Sequence, residues 1–189
     1  MKQARVLTEA ELKRVLAIVG DTRHGARNRI ALMLSHLAGL RVGEIAALTV
    51  RDVIDGEGKV REQIRLAAAI TKGGHARVVF VSERLRREIE RYRKSWGKDR
   101  PAKSPLLVTQ KRAAFSANTL CQLMAKLYKD AGLDGATSHS GRRWFITKLA
   151  HSGVSAKVIM TLAGHRNLTT TQRYIDVRDD MMRAAVDLL

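Results

Sequence analysis

The chain has 189 residues, of which 35 are Lys or Arg and 18 are Asp or Glu, so its formal net charge is +17 at pH 7. A field of this sign attracts polyanions and favours salt-dependent contacts with phosphates, which makes nucleic acid the expected partner. Aromatic residues make up 4% of the chain, too few for stacking platforms on single strands, so duplex DNA fits better. No apolar stretch is long enough to span a bilayer, and no membrane partner is expected.

Cys121 is the only cysteine of the sequence. An internal disulfide is therefore excluded, and a reducing cytoplasm is the expected compartment. Because Cys121 lies in an apolar helical pattern, we expect it to pack in the core rather than to react.

Helical patterns dominate the first fifty residues. Thr8 and Glu11 have the spacing of a capping box, which predicts a first helix that closes near Gly20. A second helix is predicted to end at Gly39 with a left-handed cap. Arg41 and Glu44 follow directly.

The pattern then changes to that of a small antiparallel sheet. A strand is predicted near 50–54. Alternating apolar residues from Ile64 to Ile70, followed by Val79 and Val81, predict a hairpin with Lys72 at or beside its turn.

The remainder of the chain is predicted to be helical. One helix begins at Ser82 and is followed by a long loop at 97–105. Further helices are predicted at about 116–131, 138–151, 155–162, 170–174 and 177–188. The last of these has an apolar face formed by Met181, Met182, Ala185 and Val186. The fold class is α+β and mostly helical.

Several residues suit the chemistry of phosphate transfer, which depends on positioning and on stabilising charge at the phosphate oxygens. Guanidinium groups do this well, and Arg41 and Arg142 are the candidates. A tyrosine can act as a nucleophile when a base or a positive field removes its proton. Tyr174, nine residues after His165 in a polar segment, is the candidate. The other two tyrosines, Tyr92 and Tyr128, lie in amphipathic helices and are expected in the core or at its rim.

His139 and His165 are interpreted as neutral hydrogen-bond donors or as a proton acceptor. The sequence has no partner cysteines or carboxylate cluster for a metal and no Walker loop for ATP, so no cofactor is expected. Lys72 is either a general acid with a lowered pKa or simply a charged turn residue.

The order of these groups resembles that in the catalytic domain of the tyrosine recombinases (the phage integrase family). The resemblance covers nearly the whole chain from about Thr8 and rests on five segments: Gly39-Leu-Arg-Val-Gly-Glu44, Lys72, His139-Ser-Gly-Arg142, Leu162-Ala-Gly-His165 and Tyr174. It implies a tyrosine-recombinase catalytic fold, formed by residues 1–189 as one domain, with a small antiparallel sheet at one edge. It also implies a site-specific recombinase that cuts and rejoins double-stranded DNA.

The resemblance also implies a role for each site residue. Tyr174 would attack the scissile phosphate, form a 3′-phosphotyrosyl link and release a 5′ hydroxyl. Arg41, Arg142 and His165 would hold the phosphate oxygens.

Three further roles follow from the same resemblance. His139 would accept the tyrosine proton, Lys72 would protonate the leaving oxygen, and Glu44 would orient the site through Arg41 or its neighbours. Members of the family act as homo-oligomers on DNA, so a tetramer in synapsis is expected here, whereas the free chain could be a monomer.

Two departures from the family pattern stand out. Gly141 occupies a position where a leucine is common, and Arg143 replaces a second histidine. Most members also carry an N-terminal core-binding domain that this sequence lacks, so the chain is either an excised catalytic domain or resembles the short fimbrial-switch invertases. The C-terminal helix at about 177–188 is expected to dock on a neighbouring protomer or to pack on its own core.

Two other functions remain open from the sequence. Residues 155–175 could form a helix-turn-helix of a non-catalytic DNA-binding module. The same set of site residues would also serve an enzyme that relaxes supercoils, like the type IB topoisomerases.

Overall fold

The computed structural model describes residues 4–71, 74–175 and 179–187. In these ranges the chain forms ten α-helices and two β-strands. The helices are α1 (Glu9–Gly20), α2 (Gly25–Ala38), α3 (Val42–Ala47), α4 (Val50–Val53), α5 (Glu83–Lys94), α6 (Ala117–Asp130), α7 (Ser140–His151), α8 (Ala156–Ala163), α9 (Leu168–Gln172) and α10 (Asp179–Val186). The strands are β1 (Gln63–Leu66) and β2 (Arg77–Phe80).

Helix α2 forms the centre of the fold, where it packs against α1, α5 and α7. Its apolar side chains from Ile30 to Leu34 are almost completely buried. A helix that is buried on nearly every face must be surrounded by other elements, and this arrangement fixes the position of the two segments that follow it.

The predicted start of the first helix and the predicted ends of the first two helices are confirmed. The Thr8 hydroxyl accepts from Glu11 N at 3.2 Å, and the Glu11 carboxylate accepts from Thr8 N at 2.9 Å, which completes the capping box. Helix α2 ends at Gly39 in the left-handed conformation. The chain then turns directly into α3, whose N-cap is Arg41.

The crossing of α2 and α7 explains the glycine at position 141. A Cβ atom added to Gly141 would lie 2.5 Å from Ser35 Oγ and 2.7 Å from His36 Nδ1. The buried His36 ring lies against Trp144 of α7, with 5.7 Å between the ring centroids. The space that a leucine would need is therefore occupied by α2.

The prediction of a strand at 50–54 is wrong, because these residues form helix α4. Asp52 accepts hydrogen bonds from the Thr49 backbone at 2.8 Å and from the Thr49 hydroxyl at 2.6 Å, and this local capping starts a helical turn. Ile54 forms only an isolated bridge to Val60.

The predicted hairpin is present but shorter than expected. Strands β1 and β2 pair antiparallel, with Ile64 opposite Val79. Residues Ala68–Ile70 form a 3₁₀ turn instead of continuing the strand. Lys72 lies outside the described residues.

The C-terminal half follows the prediction closely, and α6, α7 and α8 each begin and end within two residues of the expected positions. A second small core forms between α7 and α8 around Ile146, Ala150, Ile159 and Ala163. Cys121 is only partly buried, and its Sγ lies 3.2 Å from Ser138 Oγ.

Helix α10 leaves apolar side chains in solvent. Met182 is 52% exposed and Val186 is 66% exposed, and Ala185 is exposed as well. These three residues do not pack on the protein's own core, whereas the side chain of Met181 and positions 177, 178 and 188 lie outside what the structure describes. Among the described residues, no helix is long and apolar enough to cross a membrane.

Candidate active site

The C-terminal end of α8 is where the candidate groups meet. Three consecutive backbone carbonyls there each accept a hydrogen bond from a different arginine. The pairs are Leu162 O with Arg77 Nη1 (2.9 Å), Ala163 O with Arg142 Nη2 (2.5 Å) and Gly164 O with Arg41 Nη2 (3.2 Å). The last carbonyls of a helix have no partner within the helix and carry partial negative charge, so cations are stabilised there.

Arg142 is the more deeply buried of the two predicted arginines. It is 6% exposed and donates a second hydrogen bond to Gly39 O at 2.6 Å, which ties α7 to the end of α2. Burial, together with repulsion from Arg41 and Arg77, lowers the pKa of the Arg142 guanidinium to about 9. The side chain still carries its charge at neutral pH.

Glu44 supplies the compensating negative charge. Its side chain is 1% exposed, and it accepts from Arg41 Nη1 at 3.0 Å and from Arg77 Nη2 at 2.7 Å. Burial alone would raise the pKa of this carboxyl, but the charges and hydrogen bonds of Arg77 and Arg41 outweigh burial and hold the pKa below its ordinary value. Glu44 is therefore ionised and orients both arginines.

Arg77 was not among the residues predicted from the sequence. Its side chain is 9% exposed, and it lies on the same face of β2 as the buried Val79. A charged residue at an inward position of a strand is the signal that could have identified it, because such a side chain needs a buried partner.

His165 follows the carbonyl cluster directly. Its Nδ1 shares a hydrogen bond of 2.9 Å with the hydroxyl of Thr171, which is completely buried. Partial burial, followed by the positive charges of Arg142, Arg41 and Arg77, lowers the pKa of the imidazole to about 4. His165 is therefore neutral at pH 7.

Tyr174 lies in the site of the free chain. Its phenol ring stacks on His165, with ring centroids 5.9 Å apart, and the guanidinium carbon of Arg143 lies 5.4 Å from the centre of the same ring. The ring also packs on the small core between α7 and α8. By contrast, Tyr92 and Tyr128 are buried in the main core, as predicted.

The structure does not bring all predicted residues together. His139 is the N-cap of α7 and is exposed, and its imidazole forms no hydrogen bond with any residue that the structure describes. Lys72 itself is not described, but Thr71 and His75 on either side of it line an open groove of about 450 Å³ together with Arg41 and His165.

Two other features bear on the function. Within the described ranges, no group of three or more His, Cys, Asp or Glu side chains could hold a metal ion. The helix-turn-helix alternative is not favoured, because α9 has only five residues and its Thr171 turns toward His165 rather than toward solvent.

The model of the phage integrase family matches residues 5–181. Tyrosine recombinase XerA of Pyrococcus horikoshii is 35% identical over 185 residues, and tyrosine recombinase XerD of Neisseria meningitidis serogroup B is 30% identical over 188 residues. Each alignment covers 96% of this chain but only 60% and 61% of the respective relative. The chain therefore spans about three fifths of the length of these relatives.

Solved structures share the fold. A crystal structure of XerA recombinase has a TM-score of 0.77 at 23% identity and covers 100% of this chain and 64% of its own. The integrase of the Tn1549 transposon, in complex with transposon right end DNA, has a TM-score of 0.80 at 20% identity and covers 100% of this chain and 67% of its own.

Proposed function

Since this chain belongs to the phage integrase family, we propose that it is the catalytic domain of a site-specific recombinase that cuts and rejoins DNA through a covalent link to Tyr174. The observation that carries this proposal is the cluster at the end of α8. There the phenol of Tyr174 stacks on the neutral imidazole of His165. Two arginines predicted from the sequence, Arg41 and Arg142, bind the adjacent carbonyls of Gly164 and Ala163.

The arginines would bind the scissile phosphate. A guanidinium has five N–H groups. Arg41 uses two of them and Arg142 uses two of them on protein acceptors through their side chains. Donors therefore remain for the non-bridging phosphate oxygens, whose charge grows in the transition state. Neutral His165 would add one more donor.

The bond changes balance without a cofactor. The Tyr174 oxygen forms a bond to phosphorus while the bond from phosphorus to the 5′ oxygen breaks, which leaves a 3′-phosphotyrosyl link and a 5′ hydroxyl. We propose that His139 accepts the phenol proton and that Lys72 donates a proton to the leaving oxygen. Because the link conserves the energy of the phosphodiester, attack by a second 5′ hydroxyl rejoins the strand without ATP.

Double-stranded DNA is the proposed partner. The net charge of +17 supports it, as does the DNA complex of the Tn1549 integrase. We propose that the 189 residues act as one catalytic domain and that four copies assemble on two DNA duplexes, with the exposed side of α10 available to a neighbouring copy. Such a protein would work on the nucleoid in the cytoplasm.

Covalent trapping tests the proposal. A binding sequence is first selected from random duplexes, and a set of duplexes of that sequence, each with a nick at a different position, is then mixed with the protein in EDTA. Nicking lets the released 5′ end diffuse away, so an adduct that survives a denaturing gel accumulates. We expect this adduct with the wild type and not with Tyr174→Phe.

Tyr128→Phe is the matched control, because it removes the same hydroxyl from a tyrosine outside the site. The Tyr128 hydroxyl is buried and has no hydrogen-bond partner among the described residues, so this variant should form the adduct at the wild-type rate. Binding to the selected duplex without any adduct, at every nick position, would contradict the proposed function.

A further inference from the structure

We propose that Arg77 is a positioning residue of this site: it holds Glu44 and the end of α8 together, so that Arg41 and Arg142 are presented to one phosphate. The inference rests on the proposed function. It adds a third arginine whose task differs from that of the other two, because it acts on the protein rather than on the DNA.

The contacts of Arg77 connect three separate elements. From β2, its Nη2 donates to Glu44 of α3 at 2.7 Å, and its Nη1 donates to Leu162 O of α8 at 2.9 Å. Its Nε is buried and lacks a hydrogen-bond partner among the described residues. A guanidinium with both terminal nitrogens bound to protein and with 9% of the side chain exposed joins elements more than it offers donors to solvent.

The carboxylate of Glu44 shows what Arg77 controls. One oxygen, Oε1, accepts from Arg41 Nη1 at 3.0 Å. The other, Oε2, accepts from Arg77 Nη2 at 2.7 Å and from the Arg41 backbone N at 2.8 Å. Because Arg77 fixes Oε2, the carboxylate plane is set and Oε1 meets Arg41 in a single orientation. Without Arg77, the carboxylate can turn, so that Arg41 still reaches the phosphate but no longer meets it at one fixed angle.

The backbone of Gly164 provides a second, independent sign that this place is built around Arg77. Gly164 has a φ of +64°, a conformation that glycine adopts without strain, and a Cβ atom added there would collide with the Arg77 side chain. The chain at the end of α8 thus leaves room for Arg77, directly beside the carbonyls that hold Arg41 and Arg142.

A double-mutant cycle tests whether Arg77 acts through Glu44. Arg77→Gln, Glu44→Gln and the double variant are compared with the wild type in single-turnover cleavage of the nicked duplex, below the lowest melting temperature of the set. We expect Arg77→Gln to slow cleavage by about 10- to 100-fold, the range known for residues that orient a metal ligand through a hydrogen bond. The double variant should be no slower than the more impaired single variant, because both changes release the same carboxylate.

Salt dependence separates a positioning role from a direct phosphate contact. A side chain that binds a phosphate contributes about one unit to the slope of log affinity against log salt. Arg41→Gln should therefore reduce this slope by about one unit, whereas Arg77→Gln should leave both the slope and the affinity nearly unchanged.

Arg29→Gln is the matched control, because Arg29 also joins a carboxylate to a helix carbonyl. It donates to Glu88 at 2.7 and 2.8 Å and to Leu16 O at 3.1 Å, among α1, α2 and α5. This variant should lose stability but cleave at the wild-type rate per folded molecule. An Arg77→Gln variant that cleaves like the wild type, effects that multiply in the double variant, or a reduced salt slope would each overturn the inference. A wild type that forms no adduct would instead overturn the proposed function and the inference with it.

Discussion

The phenol ring of Tyr174 lies on the imidazole of His165 with an angle of 22° between the ring planes. The proposed nucleophile thus lies beside the proposed phosphate-binding groups in the free chain. Since His165 is neutral at pH 7, it does not attract a phenolate, and contact between the rings holds the side chain in place.

The first prediction concerns the protonation of His165. Burial and the three neighbouring arginines disfavour the imidazolium, so the ring should remain neutral as the pH is lowered from 8 to 5 and should titrate near pH 4. Two-dimensional NMR of the histidine rings measures this directly. A midpoint at pH 6 or above would show that the arginines do not act on the ring.

The second prediction concerns the hydrogen bond that fixes the His165 ring. Thr171→Val keeps the shape of the side chain but removes the hydroxyl that forms a 2.9 Å hydrogen bond with His165 Nδ1. We expect cleavage to slow by about tenfold or more, because the imidazole can then turn away from the phosphate. Thr22→Val is the control, since the Thr22 hydroxyl bonds to Val19 O at 2.8 Å outside the site. Equal cleavage rates for the two variants would refute the prediction.

The third prediction concerns Arg143. Its guanidinium lies over the Tyr174 ring, and such contacts contribute about 0.5–1 kcal/mol at partly exposed sites. Arg143→Met keeps the approximate length of the side chain and removes the charge. Because the contact with the guanidinium is lost, the Tyr174 ring should leave its place about 2- to 5-fold more often. Nitration of Tyr174 at constant pH should become faster by the same factor. Arg100→Met, which removes a guanidinium 4.6 Å from the Trp96 ring, should leave the nitration of Tyr174 unchanged.

The fourth prediction concerns stability at acid pH. Burial lowers the pKa of His36 to about 4, against an opposing hydrogen bond to Leu32 O. Between about pH 6.5 and 4 the unfolded chain binds a proton that the folded chain does not bind, so the free energy of unfolding falls as the pH falls. The full loss is roughly 3 kcal/mol.

Urea denaturation at several pH values measures this loss. Comparison with His36→Leu isolates the contribution of His36, because His165 titrates in the same window. In that variant the slope of the free energy of unfolding against pH should be smaller by up to about 1.4 kcal/mol per pH unit. Parallel curves for the wild type and the variant would argue against a buried neutral His36.

The fifth prediction concerns the helix crossing. Gly141→Ala places a methyl group 2.5 Å from Ser35 Oγ and should lower the free energy of unfolding by about 1–3 kcal/mol. Gly43→Ala is the control within a helix, because the first atom that its methyl would meet is 3.8 Å away. That control should be neutral or stabilising.

Local signals in the sequence predicted much of the fold. The capping box of Thr8 and Glu11, the glycine at the end of α2 and the helical periodicity of α6 to α8 each depend on residues close in sequence, and all were confirmed. The strand expected at 50–54 was wrong, since the pair Thr49 and Asp52 caps a helical turn more strongly than the apolar residues favour a strand.

The site was predictable only where its residues belong to a motif. Arg41, Arg142, His165 and Tyr174 were selected because their residue types and order resemble those of a known family, and they lie around the end of α8, whereas His139 of the same set does not. Arg77 could not be selected in this way, because its partners come from α3 and α8, distant in sequence. Likewise, Arg143 was noticed only as a departure from a family pattern, and its contact with Tyr174 depends on how α7 packs beside the tyrosine segment.

The close contact at Gly141 limits how pieces of related proteins can be exchanged. A chimera that takes α7 with a leucine at this position must also take an α2 without the bulk of Ser35 and His36, since the two cannot occupy the same space. Helix α2 leads into Arg41, and α7 carries Arg142. The two helices that position the proposed phosphate-binding pair should therefore be exchanged together, because a mismatched α2 and α7 would destabilise the chimera whatever its site residues are.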